Sequence, residues 1–166
     1  MKPEEPPQPG HGGVPGSRAA LVGRPPDGVR QRDLERLVAR LVARLGRPDA
    51  TVGVRFACDR TVRRYNRAYR GVDRATDVLS FPLADAAADA AAGGGFLGDL
   101  LISRERVGVQ ARRAGWSNRR ETEELVIHGV LHLLGHDHET DAGEMDELEL
   151  RLRRQLLDAA GAEASP

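Results

Sequence analysis

The sequence predicts an α+β domain in which a small mixed β-sheet packs against several helices. Apolar residues recur at helical spacing in five segments, and they alternate or cluster in three shorter segments that are typical of strands. The order is helix, strand, helix, two strands and three helices, which indicates an α+β architecture. At 166 residues the chain is long enough for one domain with a hydrophobic core and too short to expect two.

The first 30 residues are predicted to form a disordered tail. Seven of the ten prolines fall within residues 1–26, where they alternate with Gly, Glu and Gln. Such a segment has too few apolar side chains to offset the entropy lost when it becomes ordered. The single folded domain is therefore expected to span residues 31–160.

The domain is predicted to begin with a helix and a strand. The helix starts at Arg32 and stops before Gly46 and Pro48, because apolar residues recur at helical spacing over this stretch. These residues are Leu34, Leu37, Val38, Leu41, Val42 and Leu45. Residues 51–57 alternate apolar side chains with small or charged ones, which fits a half-buried strand.

A second helix and two more strands follow. Residues 60–69 return to helical spacing, with four arginines opposite the apolar side chains. Residues 77–83 and 96–103 are rich in β-branched and large apolar residues and are predicted to be strands. Between them, DAAADAAAGGG at residues 85–95 favours a flexible connection, although its alanines leave a short helix possible.

Three helices complete the predicted domain. The first covers residues 104–114. The second begins at Asn118, where Glu121 three positions later resembles a capping box, and it ends at Gly135. The third covers residues 144–157, with apolar side chains inward and most of its acidic side chains outward.

Global charge identifies no partner, because 25 Lys and Arg side chains balance 25 Asp and Glu side chains. The distribution is uneven, since residues 32–74 hold twelve arginines against five acids and residues 139–166 hold three against eight. Cys58, the one cysteine, cannot form an intrachain disulfide and suits a reducing compartment. Without a secretory signal pattern, or an apolar run near the roughly 20 residues of a membrane span, the chain is expected to be soluble and cytoplasmic.

The stretch HGVLHLLGHDH at residues 128–138 predicts a metal site on a helix and the turn that follows it. His128 and His132 are four apart, so their side chains share one helix face. Gly135 can adopt the left-handed conformation that turns the chain back, which lets His138 reach the same point. Three neutral imidazoles bind zinc and leave a fourth position for water, as in catalytic zinc sites. We therefore expect one zinc ion per chain.

The other residues of this stretch are expected to act differently. His136 would compete with His138 from two residues earlier in the same turn and is not expected to be a ligand. Asp137 is expected to accept the remaining N–H of a ligand histidine. Gly129 stands where the HExxH metalloproteases carry their general base, so peptide hydrolysis by that route is not expected.

Three motifs resemble the YbeY family of bacterial endoribonucleases, also called ribosomal RNA maturation factors. They are HGVLHLLGHDH, YNRAYRGVDRATDVLSFP at residues 65–82 and LGDLLIS at residues 97–103. The resemblance runs from about Thr51 to Leu150 and implies a single-zinc hydrolase acting on RNA, in 3′-end maturation of 16S ribosomal RNA and in ribosome quality control. It also implies contacts with a small-subunit ribosomal protein and an assembly GTPase.

Carried over residue by residue, the resemblance places the zinc ligands on His128, His132 and His138 and a functionally important arginine on Arg70. Arg70 lies where the helix is expected to end at Gly71, and a guanidinium there can hold a phosphate by two hydrogen bonds. The basic stripe consists of Arg60, Arg63, Arg64, Arg67 and Arg74, and its spacing suits successive phosphates of a single strand.

Two assignments stay open at this point. The general base is Asp137, a phosphate oxygen of the substrate or hydroxide on zinc. Thr76, Asp77 and Ser80 are favoured as structural residues over site residues, and Asp99 is undecided.

The leading hypothesis is a single-strand-specific, zinc-dependent endoribonuclease. The alternative is a zinc-stabilised assembly factor that assists other nucleases without cutting RNA.

Overall fold

The structure, a computed structural model, describes residues 18–83 and 94–158. The predicted disorder of residues 1–17 and most of the predicted connection at residues 85–95 lie outside this part of the chain. The elements in chain order are β1 (Ala19–Val22), α1 (Gln31–Arg44), β2 (Asp49–Ala57), α2 (Asp59–Arg70), β3 (Val78–Pro82), β4 (Gly94–Ser103), α3 (Arg104–Ala114), α4 (Asn118–Leu133) and α5 (Glu144–Arg153). A π-helical segment at Arg154–Asp158 follows α5.

The sheet is mixed, as predicted, and its strand order is β1-β2-β4-β3. The first three strands in this order run parallel, whereas β3 pairs antiparallel with β4. Helices pack against the sheet, so the predicted α+β class is confirmed. None of the helices in the described part of the chain combines the length and the apolar content that a membrane span needs.

The two faces of the sheet carry separate apolar clusters. Leu100 and Ile102 point into the main core, which the sheet forms with α1, α4 and α5. Leu101, between them in the strand, points to the opposite face and packs with Val62 of α2 and Leu79 of β3. The main core thus lies under the helix that carries His128 and His132, and α2 covers part of the other face.

Strand β1 corrects the expected boundary of the tail. Composition predicts that residues 18–30 belong to the disordered tail. In the structure, Ala19–Val22 pair with residues 52–55 of β2, and Ala19 is fully buried. The Arg18 guanidinium also binds the Asp49 carboxylate at 3.0 Å. A four-residue strand beside Pro and Gly carries too little apolar periodicity to be seen in the sequence. The edge of β2 supplies the backbone hydrogen-bonding partners of β1.

Removing residues 1–23 is expected to lower the melting temperature by roughly 5 °C or more relative to removing residues 1–17. The longer deletion takes away β1 and leaves the edge of β2 without its backbone partners, whereas the shorter one spares every described residue. Thermal melts of the two variants, followed by circular dichroism, provide the measurement. Equal melting temperatures would show that β1 contributes nothing to stability.

Helix α4 begins at Asn118 as predicted, but its capping residue differs from the predicted one. Ser117, not Asn118, is the cap, because its hydroxyl accepts a hydrogen bond from the Arg120 backbone N–H at 3.1 Å. Glu121 is buried and does not close a capping box with Asn118. The helix therefore begins as predicted, but Glu121 is turned toward the interior.

Candidate metal centre

The central helix α4 fixes the position of the histidines. Residues 121–127 are all buried, since α4 contacts α1, α3, α5 and the strands β3 and β4. His128 and His132 are half-buried and lie where this helix borders an open groove. Because the helix is held on several sides, the two imidazoles are presented by a rigid element.

The turn after α4 brings the third histidine to the first two. Gly135 adopts φ 89°, the left-handed conformation predicted for it, and the His136 backbone N–H donates to the Leu131 carbonyl at 3.1 Å. The chain thereby reverses, and the His138 ring lies 5.8 Å from the His128 ring and 5.4 Å from the His132 ring between centroids. His136, in the same turn, does not belong to this cluster.

The spacing of the three rings suits one metal ion. The Nε2 atoms of His128 and His132 are 3.1 Å apart, and one nitrogen from each of the three rings lies within 4.8 Å of the others. Imidazole nitrogens about 2.0–2.1 Å from a tetrahedral ion are roughly 3.4 Å from one another. The pKa of His132 is lowered, mainly by burial and also by the charges of His128 and His138. The lower pKa favours the neutral form of the ring, which is the form that binds metals. The three histidines can therefore hold a metal ion.

Glu149 of α5 is the carboxylate that contacts a ring of this cluster. Both of its carboxylate oxygens lie 3.2 Å from Nδ1 of His128. Burial alone would raise the pKa of Glu149, but the hydrogen bond with His128 and the charges of His128 and Arg153 outweigh it and lower that pKa. The sequence predicts that most acids of this helix point outward, which holds for Glu144, Asp146 and Glu147, and Glu149 is the buried exception. Its position four residues after Met145 and three before Leu152, both buried, was the available signal.

Asp137 has a different position from the one expected. Its Oδ1 accepts a hydrogen bond from the Glu139 backbone N–H at 3.0 Å, and its carbonyl accepts from the Thr140 backbone N–H at 3.2 Å. The sequence predicts that the Asp137 carboxylate accepts a hydrogen bond from a ligand histidine. In the structure, Glu149 is the carboxylate that makes such a contact, with His128. Asp137 nevertheless lines the groove beside the histidines.

This groove has a volume of about 550 Å³ and joins the histidines to the end of α2. Arg70, the last residue of α2, lines it, and the helix ends there because Gly71 adopts φ 70°. Arg70 is exposed, and within residues 18–83 and 94–158 no carboxylate forms an ion pair with it. The guanidinium is thus available to an anion in the same groove as the three imidazoles.

Much of the basic stripe lies elsewhere. Arg60, Arg63 and Arg74 line a separate depression of about 510 Å³. Arg63 binds both oxygens of Asp73, at 2.8 and 3.1 Å, and this hydrogen bonding lowers the pKa of Asp73. These three residues therefore do not form a continuous row of arginines that leads to the metal centre.

The polar residues at the start of β3, Thr76, Asp77 and Ser80, make hydrogen bonds of the structural kind favoured from the sequence, and they also line the groove. Asp77 accepts hydrogen bonds from the Val78 backbone N–H at 2.8 Å, from the Thr76 hydroxyl at 3.2 Å and from the Gln110 amide at 3.2 Å. The Ser80 hydroxyl donates to the Gly129 carbonyl at 3.1 Å. These bonds tie β3 to α3 and α4, and β3 forms one wall of the groove.

Neighbouring atoms restrict three positions in this part of the chain. A Cβ at Gly129 would lie 2.7 Å from a methyl carbon of Leu100, which is fully buried, so the glutamate of HExxH enzymes has no room there. Asp99 is half-buried over Gly53, burial raises its pKa, and it does not line the groove. A Cβ at Gly98 would lie 2.2 Å from the Phe81 carbonyl, and its φ of 138° further favours glycine beside β3.

Comparison with known proteins gives a consistent set of relatives. A family model described as Endoribonuclease YbeY matches residues 27–158. A Solibacter usitatus protein of that name is 44% identical over 135 residues, covering 80% of this chain and 84% of the relative. One from Anaeromyxobacter dehalogenans is 41% identical over 137 residues, covering 81% and 69%. The solution structure of a Thermotoga maritima protein is similar with a TM-score of 0.59 and 28% identity, covering 88% of this chain and 93% of that one.

Proposed function

The chain belongs to the YbeY family of endoribonucleases, and from that premise we propose that it is a zinc-dependent endoribonuclease that hydrolyses single-stranded RNA in the groove beside α4. The observation that carries this proposal is the meeting of three imidazoles and Arg70 in one open groove. Imidazole nitrogens are preferred zinc ligands, and a guanidinium is suited to a phosphodiester. A site for activating water therefore lies next to a site for holding a phosphate.

The residues of the groove have distinct tasks in this proposal. His128, His132 and His138 hold the zinc ion, whose Lewis acidity supplies activated water at neutral pH. Arg70 donates two hydrogen bonds to the reacting phosphate and stabilises the negative charge that develops on it during cleavage. Since Arg70 ends its helix and is exposed, its side chain can reach a phosphate without disturbing the core.

Hydrolysis of a phosphodiester by water requires a proton acceptor. Asp137 lines the groove with one carboxylate oxygen bound to the Glu139 backbone N–H, which fixes the orientation of the carboxylate. We propose Asp137 as a catalytic residue that accepts a proton during hydrolysis. A phosphate oxygen of the substrate and hydroxide on zinc are the alternatives, and the pH dependence of Asp137→Asn cleavage tests Asp137 against them.

The biological setting follows from the family and is also a proposal. The substrate is small-subunit ribosomal RNA, at the 3′-end of 16S RNA, and the same activity contributes to ribosome quality control. A small-subunit ribosomal protein and an assembly GTPase are the proposed partners, and the cytoplasm is the proposed location.

The rival is a zinc-stabilised assembly factor that assists other nucleases. Single-turnover cleavage of a defined single-stranded RNA by highly purified protein distinguishes the two, with a His128→Ala preparation made in parallel and the matching duplex as a second substrate. The proposal predicts cleavage of the single strand by the wild type alone. Equal cleavage by the His128→Ala preparation would assign the activity to a contaminant and favour the rival.

A further inference from the structure

A chain of alternating charges runs from the surface of the domain to the metal centre. The Arg120 guanidinium binds Asp158 at 2.8 Å and Glu124 at 2.7 Å. Arg153 then forms ion pairs with Glu124 and with Glu149. Glu149 finally contacts Nδ1 of His128 at 3.2 Å. The chain links α4, α5 and the π-helical segment to a single imidazole.

We propose that Glu149 is a positioning residue for the metal centre, which keeps the proton of His128 on Nδ1 so that Nε2 is bare and turned toward the metal. This inference rests on the zinc-binding part of the proposed function and extends it to α5. Arg153 acts through Glu149 because it pairs with the Glu149 carboxylate, and Glu124 acts one step further away because it pairs with Arg153.

The geometry around the His128 ring supports this role. Nε2 faces the other ligands, 3.1 Å from Nε2 of His132, whereas Nδ1 faces the two oxygens of Glu149. A neutral imidazole carries one proton, and an ionised carboxylate can only accept it. With the hydrogen bond made at Nδ1, the lone pair of Nε2 is left for the metal.

The burial of Glu149 gives the contact its strength. The residue is 6% exposed, so water cannot replace the hydrogen bond with His128. A buried carboxylate requires partners, and Arg153 and His128 are the two that the structure provides. Among the described residues, Glu149 is also the one carboxylate within ion-pair distance of a ligand ring. Its loss should therefore act on His128 in particular.

The test compares Glu149→Gln and Glu149→Ala with Glu147→Gln, an exposed acid on the same helix. Each protein is freed of metal and titrated with zinc sulfate in competition with a chromophoric chelator. Replacing Glu149 should weaken zinc binding by about 10–100-fold, the usual cost of losing such a hydrogen bond to a ligand, and Glu147→Gln should bind as the wild type does. Unchanged zinc affinity in folded Glu149→Gln would overturn the proposal.

A second readout depends neither on zinc nor on RNA cleavage, and its wild-type part does not require any variant to fold. The ring ¹⁵N shifts of His128, measured in zinc-free wild-type protein near pH 8, report which nitrogen carries the proton. The proposal requires the Nδ1–H tautomer in the wild type and its partial loss in Glu149→Gln, whereas an Nε2–H ring in the wild type would contradict it. If the wild type bound no zinc, the proposed cofactor would fail, and the tautomer would still decide the role of Glu149.

Discussion

Replacing His132 by Ala is expected to remove zinc from the protein and to reduce RNA cleavage to background. The His132 ring centroid lies 4.6 Å from that of His128 and 5.4 Å from that of His138. Losing a ligand should cost more than the 10–100-fold that accompanies loss of a hydrogen bond to a ligand, so the fall in cleavage rate should exceed a factor of about a hundred. Elemental analysis and single-turnover cleavage measure the two effects.

His136→Ala is the matched control for this variant. His136 lies in the same turn and lines the same groove, but it is not in the cluster of three rings. It should keep about one zinc ion per chain and cleave RNA within a few-fold of the wild-type rate. If His136→Ala lost zinc and His132→Ala kept it, the proposed set of ligands would contain the wrong histidine.

Arg70→Lys is expected to lower the cleavage rate constant at saturating enzyme by roughly a hundredfold or more. The substitution keeps the positive charge but removes the planar pair of N–H groups that grips a phosphate. A residue that merely attracts RNA would behave differently, because counterion release depends on charge, and lysine would then serve nearly as well. Rapid-quench measurements of bound RNA separate the rate constant from the affinity.

Arg67→Lys is the suitable control for Arg70→Lys. Arg67 is exposed on the same helix and does not line the groove, whereas Arg63 is held by Asp73 and would report on that ion pair. Arg67→Lys should change neither the rate constant nor the affinity by more than a few-fold. If Arg70→Lys also cleaved bound RNA at the wild-type rate, Arg70 would be a binding residue alone.

The parts of the fold that have strong local periodicity could be predicted from the sequence. The apolar face of α1 is buried at Leu34, Leu37 and Val38, as its 3.6-residue spacing requires. The histidine cluster was also predictable, because its geometry depends on one helix turn and one glycine. The helix face and the histidine cluster are each determined by residues that lie close together in the sequence.

The features that were missed depend on which elements pack together. Strand β1 exists because β2 offers it an edge more than 30 residues away along the chain. Glu149 contacts His128 because α5 packs on α4, and nothing within either helix alone fixes that pairing. The sequence predicts Asp137 as the partner because a carboxylate can accept the remaining N–H of a ligand histidine. The actual partner of His128 is 21 residues away, on another helix.

Titration of metal-free protein with zinc, followed by single-turnover cleavage of a defined single-stranded RNA, tests most directly whether the three histidines form the catalytic centre. The cleavage rate should rise in proportion to added zinc and reach a plateau at about one ion per chain, and His132→Ala should show no rise. Full cleavage by protein shown to be metal-free, or an equal rise in His132→Ala, would contradict this assignment.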